Sequence, residues 1–295
     1  MRTHSSASAL KATWSNRLGT VLTPIATGVW AAERPFTWNN IDVGGRCSIM
    51  RIPSKDSKDD GALGGLAVYS PVELTDSLAG AIEDLGSVKV IICPNYEHLK
   101  YAKQWEEAYP NAEMWACPGL AEYSDEMGGI QWSRKFGFDD DTAFVGQYGL
   151  DICWFDCEIN PFTRKPFFNE VVVFHKGSRS LCTADMYWNY PATKHPNYNL
   201  LSGTGELHQC SKVPVDATNC PEIEVPFSTS LWKFGMDKVF LPFFKNFMVG
   251  KKRRDRLIAC SEKVMKWSPL NIVPCHGDVV KGQDLCAKEL RRQWQ

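Results

Sequence analysis

The amino-acid sequence predicts an α/β fold, in which helices pack against β-sheet. Short apolar runs that are typical of buried strands recur along the 295-residue chain. Segments with apolar residues at helical spacing lie between several of these runs. Because alternating strands and helices pack as layers around one core, this order indicates a layered α/β domain. Hydrophobic residues make up 44% of the chain, which is enough for a large core.

The first 120 residues predict a hairpin, a helix, a strand, a second helix and a further strand. A polar, glycine-rich turn separates the two strands of the hairpin, 47–52 and 66–69. Thr75 is a typical N-cap for the helix that follows, and Gly86 ends that helix. The other predicted elements are a buried strand at 88–92, a helix at 99–108 and a strand at 114–116.

The remainder of the chain predicts more strands and two helices. Apolar runs indicate strands at 152–155, 171–174, 181–183 and 272–273. Helices are expected after the basic run at 251–254 and over 283–294. Between these parts, residues 190–250 combine a polar stretch without periodicity and an aromatic stretch. We expect this region to form an insertion or lid.

The predicted domain organisation is a flexible N-terminal segment, residues 1–27, and a single domain, residues 28–295. No run of about 18 apolar residues occurs, so no transmembrane helix is expected. The 11 scattered cysteines predict free thiols in a reducing compartment, so we expect a cytoplasmic protein. The first 32 residues contain no Asp or Glu, which leaves organellar targeting as an alternative.

Chemically active side chains follow three predicted strands. Glu97 and His98 follow strand 88–92, Asp185 follows strand 181–183, and His276 follows strand 272–273. Ligands of open α/β sheets gather at the carboxyl ends of the strands. Imidazole and carboxylate groups suit zinc or non-haem iron. The sequence therefore predicts a metal centre at this edge.

The same segments resemble the metallo-β-lactamase superfamily. Two segments are similar to metal-binding segments of that superfamily: Asp185, which follows a predicted strand, and the closing motif Pro274–Asp278. The whole chain, over about residues 28–292, resembles one metallo-β-lactamase-like family. The resemblance depends on short motifs in a fixed order: Trp30, 33–35, 69–71, Pro94-Asn95 with His98, 118–120, 174–175 with 178–181, 183–185 and 274–278. It implies a metallo-β-lactamase-like αβ/βα sandwich.

The resemblance also implies the site residues. The expected metal ligands are His98, His175, Asp185 and His276, with zinc or iron as the ion, and the expected catalytic residues are Glu97 and Asp278. The first motif of the superfamily, H-x-H-x-D-H, is incomplete, because Asn95 stands at or near one of its first two histidines. The remaining set is expected to hold one ion, a distorted pair or none.

Each candidate also has an interpretation without a metal. His276 can be a turn residue that bonds to the backbone, and Asp185 can cap the segment after its strand. His98 and Glu97 can belong to a helix N-terminus, where the helix dipole favours a carboxylate. His175 can be a buried histidine whose hydrogen bonds are satisfied.

The function predicted first is a metal-dependent hydrolase that acts on a small, apolar or aromatic molecule through an activated water. A non-catalytic binding or scaffold domain is the alternative, and an iron-dependent oxidoreductase is the third hypothesis. A net charge of −1 gives no field that favours nucleic acid, and no phosphate-binding loop or nucleophilic-serine elbow occurs. The sequence does not predict the oligomeric state.

Two further segments have open interpretations. The basic run 251–256 is expected to be a solvated helix start, with phosphate or membrane contact as the alternative. The aromatic residues Phe240, Phe243, Phe244 and Phe247 are expected to pack in the core, with pocket or lipid contact as the alternative.

Overall fold

Two β-sheets stacked face to face form the centre of the protein. The structure, a computed structural model, describes residues 10–16, 19–53, 63–124, 129–190 and 225–295. The first sheet has the strand order β1-β2-β5-β6-β7-β8-β9. Its strands are β1 (Thr23–Ala26), β2 (Val29–Arg34), β5 (Gly45–Pro53), β6 (Leu63–Tyr69), β7 (Val88–Cys93), β8 (Glu113–Ala116) and β9 (Arg134–Lys135). A small hairpin joins β2 to β5 and consists of β3 (Thr37–Trp38) and β4 (Ile41–Asp42).

The second sheet has the order β10-β11-β12-β13-β14. Only β12 and β13 are parallel, and their register pairs Thr183 with Pro274. The parallel pair brings the carboxyl ends of β12 and β13 to one edge. The strands are β10 (Leu150–Phe155), β11 (Glu170–His175), β12 (Ser180–Thr183), β13 (Asn271–Pro274) and β14 (Val280–Lys281).

Helices cover the outer faces of both sheets. Leu78 and Trp105 of the first two helices are buried against the first sheet, whereas Leu257 and Leu290 of the last two are buried against the second. The helices are α1 (Asp76–Leu85), α2 (Ala102–Ala108), α3 (Leu120–Ser124), α4 (Thr142–Gly146), α5 (Phe227–Gly235), α6 (Leu241–Phe243), α7 (Gly250–Lys266) and α8 (Gln283–Trp294). Thr75 caps α1 as predicted, accepting a hydrogen bond from Leu78 N at 3.3 Å.

Strand β11, which lies between β10 and β12, shows why the layers stack. Val171 and Val173 belong to the core between the two sheets, whereas Val172 and Phe174 pack in the core beneath α7 and α8. Alternate side chains of a strand point to opposite faces, so an uninterrupted apolar run requires cover on both sides. The predicted αβ/βα sandwich is therefore confirmed.

The N-terminal segment differs from the prediction. Residues 1–27 were expected to be flexible, but Thr23–Ala26 forms edge strand β1, and Trp14 is 2% exposed. The indole Nε1 of Trp14 donates a 2.8 Å hydrogen bond to Asp42 Oδ2. Burial of an indole with a satisfied N–H ties this part of the segment to the domain. These described residues of the segment therefore pack on the domain.

The insertion expected at residues 190–250 is described only in part. Residues 191–224 of the predicted insertion lie outside the described residues, and its remaining part is largely helical. The nine cysteines in the described part of the chain are free and buried. Among the described residues, no helix is long and apolar enough to cross a membrane.

The topology places several strand ends at one edge of the sandwich. Strands β6, β7 and β8 are parallel to one another, as are β12 and β13. Tyr69, at the end of β6, donates a hydrogen bond to Val171 O at 3.2 Å, and Val171 N donates to Pro94 O at 2.9 Å. These bonds join the two sheets where β6 and β7 end. The edge therefore collects the loops that follow β6, β7, β12 and β13.

We predict that Trp294→Ala lowers the free energy of unfolding by about 3–5 kcal/mol, the usual cost of truncating a buried Trp. The Trp294 ring lies 4.6 Å from that of Phe155, and Nε1 donates to Met186 O at 2.7 Å. Urea denaturation measures the change. Trp38→Ala is the matched control, because Trp38 is 47% exposed and its loss should cost much less. Equal losses in the two variants would contradict this assignment of the core.

Candidate metal centre

Three predicted ligands meet at the edge where the strands end. His98, Asp185 and His276 each present a ligand atom within 4.8 Å of the other two. His98 Nε2 lies 3.1 Å from Asp185 Oδ2, and His276 Nε2 lies 3.5 Å from Asp185 Oδ1. The carboxylate of Asp185 therefore lies between two imidazoles. Such a group can hold a metal ion.

His276 is positioned by the loop that follows β13. Gly277 has a φ of +91°, and a Cβ there would lie 2.1 Å from Asn189 O, so only glycine fits. His276 Nδ1 donates to Gly44 O at 2.7 Å, because a carbonyl oxygen can only accept. In the neutral ring the lone pair is then on Nε2, the nitrogen that faces Asp185. A hydrogen bond at the other ring nitrogen is the usual way to orient a metal-binding histidine.

His98 is held at the start of the turn after β7. Asn95 Oδ1 accepts hydrogen bonds from the backbone N–H groups of Glu97 and His98, at 3.1 and 3.0 Å. This Asx-type turn fixes the direction of the His98 side chain. His98 Nδ1 forms a 2.6 Å hydrogen bond with Ser70 Oγ. The ring nitrogen Nε2 is thereby directed toward Asp185.

Asp185 is held by a buried carboxylate and an amide. Glu170, at the first position of β11, accepts hydrogen bonds from the backbone N–H groups of residues 184–186 at 2.6–2.8 Å. Asn95 Nδ2 donates to Asp185 Oδ2 at 2.7 Å and to Glu170 Oε2 at 3.3 Å. The turn after β12 is therefore fixed both through its backbone and through its side chain.

The electrostatics favour an ionised Asp185 beside a protonated His98 in the protein without metal. Burial alone would raise the pKa of Asp185, but the imidazoles of His98 and His276 hold it well below its usual range. Burial alone would lower the pKa of His98, but the Asp185 carboxylate raises it well above its usual value. Burial, followed by the Asp185 charge, raises the pKa of Glu170 to about 7.

An aromatic-rich cavity of about 280 Å³ opens onto this cluster. Its wall includes charged groups as well, namely Arg46, Glu97 and Lys100. The partial burial of Glu97 and the nearby Asp185 charge raise the pKa of its carboxyl. Apolar cavities with a few convergent polar groups are typical small-molecule sites. The aromatic residues of the wall are Phe36, Trp38, Tyr101, Phe167, Phe168, Trp188, Tyr190, Trp232 and Phe240.

His175, which the sequence predicts as a metal ligand, lies outside the cluster of His98, Asp185 and His276. β11 runs antiparallel to β12, which places the end of β11 at the edge opposite Asp185. His175 is 7% exposed; its Nε2 donates to Arg51 O at 2.9 Å, and its Nδ1 accepts from Ser178 N at 3.2 Å. Its interpretation as a satisfied buried histidine fits this geometry.

Asp278 also lies outside the cluster. Its backbone N–H donates to Asn189 O at 2.8 Å, and its carbonyl accepts from Asn189 Nδ2 at 2.9 Å. Asp278 is not among the residues of the cavity wall. The structure therefore gives no support to its predicted catalytic role and shows a backbone role in holding the loop after His276.

Sequence reasoning missed Glu170 and the role of Asn95. The sequence indicated Asn95 as part of the Pro94-Asn95 motif and as a missing histidine, whereas its side chain links the turns that carry His98 and Asp185. Glu170 carried one signal, a single acidic residue at the start of the apolar run 171–174. A buried carboxylate at that position has to be paired with donors. The sequence could not show which donors those are.

Solved structures that are similar to this chain define the class of fold. The metallo-β-lactamase DIM-1 is 10% identical over 92% of this chain and 93% of its own, with a TM-score of 0.51. The mono-zinc form of the metallo-β-lactamase FIM-1 from Pseudomonas aeruginosa is 12% identical over 97% and 98%, with a TM-score of 0.50. The flavodiiron core of Flv1 from Synechocystis is 12% identical over 93% of this chain and 59% of its own, with a TM-score of 0.53. The protein has the metallo-β-lactamase fold.

The sequence also matches a family model. A family model with the description "Domain of unknown function (DUF4336)" matches residues 27–221. The chain belongs to this family. A comparison with curated protein sequences gives no match.

We predict that His175 contributes to the pH dependence of stability. Burial lowers its pKa in the folded state, so the unfolded state binds more protons as the pH falls through about 6.5. Stability is then fully present above that pH and is lost toward acid. Urea denaturation at pH 7 and pH 5 should therefore show a larger loss for the wild type than for His175→Gln. Equal losses would contradict the assignment.

Proposed function

We propose that the protein is a metal-dependent hydrolase with one ion, held by His98, Asp185 and His276, that acts on a small apolar or aromatic molecule. The observation that supports this most directly is the convergence of two imidazoles and one carboxylate within 4.8 Å at the edge of an aromatic cavity. Three protein ligands with an open position are typical of catalytic zinc sites, and two histidines with one carboxylate also suit iron(II).

The donor set fits a metal ion for two reasons. His276 Nδ1 is committed to Gly44 O, so Nε2 carries the free lone pair that a metal requires. Asp185 carries a negative charge, because its pKa is low. When bound, such an ion lowers the pKa of a coordinated water to about 7 and supplies a hydroxide nucleophile.

The remaining residues of the site have roles of their own. Glu97 is on the cavity wall, and its raised pKa makes its carboxylate a better proton acceptor near neutral pH. Lys100 presents an ammonium group 5.2 Å from the Phe36 ring and 5.1 Å from the Tyr101 ring. It forms no ion pair with a carboxylate in the described part of the chain. A substrate with an apolar body and an anionic substituent suits this wall.

A single ion is favoured over a pair. Among the described residues, only one group of three or more potential ligands is close enough to hold an ion. Asn95 uses its Nδ2 group to donate to Asp185, which occupies part of the carboxylate with a hydrogen bond. The dinuclear centre of an iron-dependent oxidoreductase would need a larger set, so that hypothesis has less support.

A non-catalytic binding domain is the second candidate. In the protein without metal, Asp185 already accepts hydrogen bonds from His98 and Asn95. The cluster thus has hydrogen-bond partners as a partly buried ion pair, and the aromatic cavity can bind a ligand without chemistry.

We predict that the purified protein binds about one equivalent of Zn²⁺ or Fe²⁺ and that His276→Ala loses it. Removal of one of three ligands leaves too few donors for tight binding. Elemental analysis after dialysis measures the stoichiometry. Hydrolysis of p-nitrophenyl butyrate and of bis(p-nitrophenyl) phosphate tests ester and phosphodiester chemistry in parallel.

His175→Gln is the matched control, because this histidine is remote from the cluster and should leave the metal content unchanged. Loss of metal in both variants would contradict the assigned ligand set. A folded wild-type protein that stays free of metal after dialysis against excess Zn²⁺ and Fe²⁺ would favour the non-catalytic candidate.

We also predict that Glu170→Gln weakens metal binding by roughly 10- to 100-fold, the usual effect of groups that orient a metal ligand. The amide has one acceptor oxygen in place of two, so the turn that carries Asp185 loses part of its support. Competition with a chromophoric chelator measures the affinity. Glu158→Gln is the matched control, because Glu158 is equally buried and accepts from the backbone N–H groups of residues 167–169. An equal loss of affinity in both variants would contradict the positioning role of Glu170.

A further inference from the structure

A helical segment beside the cavity, residues 227–249, has an unusual surface. It contains α5, a π-helical turn (Met236–Phe240), α6 and a second π-helical turn (Phe244–Val249). Pro242 lacks an N–H for the helical hydrogen-bond pattern, and wide turns on either side keep the segment helical. The chain then turns at Gly250, which has a φ of +59°, into α7.

The inner face of the segment lines the cavity and packs against the rest of the fold. Trp232, Met236 and Phe240 line the cavity. Phe244 and Met248 are buried in the core beneath α7 and α8. An amphipathic surface helix with its apolar face buried in this way is expected to be polar on the opposite face.

The outer face of the segment is apolar instead. Phe227 is 82% exposed, and four further large apolar side chains are between 59% and 66% exposed. Phe227, Leu231 and Phe234 are spaced as neighbours on one side of a helix. An exposed apolar patch of this kind marks an interaction surface. The other members of the patch are Val239 and Phe247.

The surroundings of the patch are strongly basic. Residues 227–256 contain eight Lys or Arg and two Asp, a net charge of +6 in a chain whose total is −1. Lys233 and Arg256 are paired with Asp237 and Asp156. The other basic side chains form no ion pair with any carboxylate that the structure describes: Lys238, Lys245, Lys251, Lys252, Arg253 and Arg254.

We infer that residues 227–254 dock the protein onto an anionic lipid surface. Exposed Phe and Leu side chains can enter the headgroup region, while adjacent Lys and Arg side chains bind acidic headgroups. Stable attachment of a peripheral protein requires two such signals, and the segment supplies both. Single-stranded nucleic acid fits less well, because Leu231 and Val239 offer no aromatic face for stacking. The inference is independent of the metal centre.

Docking has a structural consequence for the cavity. The same segment presents Phe227, Leu231 and Phe234 outward and Trp232, Met236 and Phe240 toward the cavity. When the outer face rests on lipid, one wall of the cavity lies at the membrane surface. The cavity can then take up apolar molecules that concentrate in the bilayer.

Cosedimentation with vesicles tests the inference. The full chain should bind vesicles of 30% phosphatidylserine in phosphatidylcholine and should bind pure phosphatidylcholine at least tenfold more weakly. The double variants Leu231→Ser/Phe234→Ser and Lys251→Gln/Lys252→Gln should each lower the partition coefficient by about tenfold or more. The variant Lys266→Gln/Leu270→Ser is the matched control, because it removes a Lys from the far end of α7 and an exposed Leu from the loop that follows.

His276→Ala should bind vesicles like the wild type, which separates this inference from the proposed metal centre. The inference is overturned if the wild type does not bind phosphatidylserine vesicles or if the control variant loses binding equally. It is also overturned if the protein binds no vesicles and the patch variants instead abolish a dimer or the binding of an oligonucleotide.

Discussion

The negatively charged carboxylate of Asp185 lies at the boundary between the two sheets. Much of the local structure consists of groups that stabilise this charge. Its carboxylate lies against His98 and His276, and its backbone and side chain are held by Glu170 and Asn95. A buried carboxylate without partners would cost several kcal/mol. The loops after β7, β12 and β13 meet in an arrangement that brings the side chains of Asn95 and His98 to the Asp185 carboxylate and the backbone N–H of Asp185 to Glu170. The cluster ties the two sheets together at the edge where the cavity opens.

The chain has the metallo-β-lactamase fold at about 10% identity to the metallo-β-lactamase DIM-1. Within this fold, Asn95 links two of the loops at the edge where the cavity opens. Its amide donates to Asp185, and its carbonyl oxygen closes the turn before His98. Hydrogen bonds with Asn95, Ser70 and Gly44 thus hold the side chains of Asp185, His98 and His276 in place.

The helical segment 227–249 lies between the cavity and the surface of the protein. Its inner side chains complete the cavity wall, so the segment cannot be polar on that face. Its outer apolar side chains are exposed, and six basic residues of the stretch 227–256 form no ion pair with a described carboxylate. A single element thereby connects the interior of the site to the outside of the molecule.

The sequence by itself determined the order of the main strands and helices, without short strands such as β1, β9 and β14, and placed His98, Asp185 and His276 after strands. Hydrophobic periodicity is a local property, and β11 shows it clearly, since its unbroken apolar run required cover on both faces. Only the tertiary structure decided which residues share the site. His175 also ends a strand, but β11 is antiparallel to β12, so His175 lies at the edge opposite Asp185. Glu170, at the start of β11, lies at the same edge as Asp185 and accepts a hydrogen bond from its backbone N–H. The direction of a strand depends on its pairing with strands that are distant in sequence. The residues next to a candidate ligand do not determine that pairing.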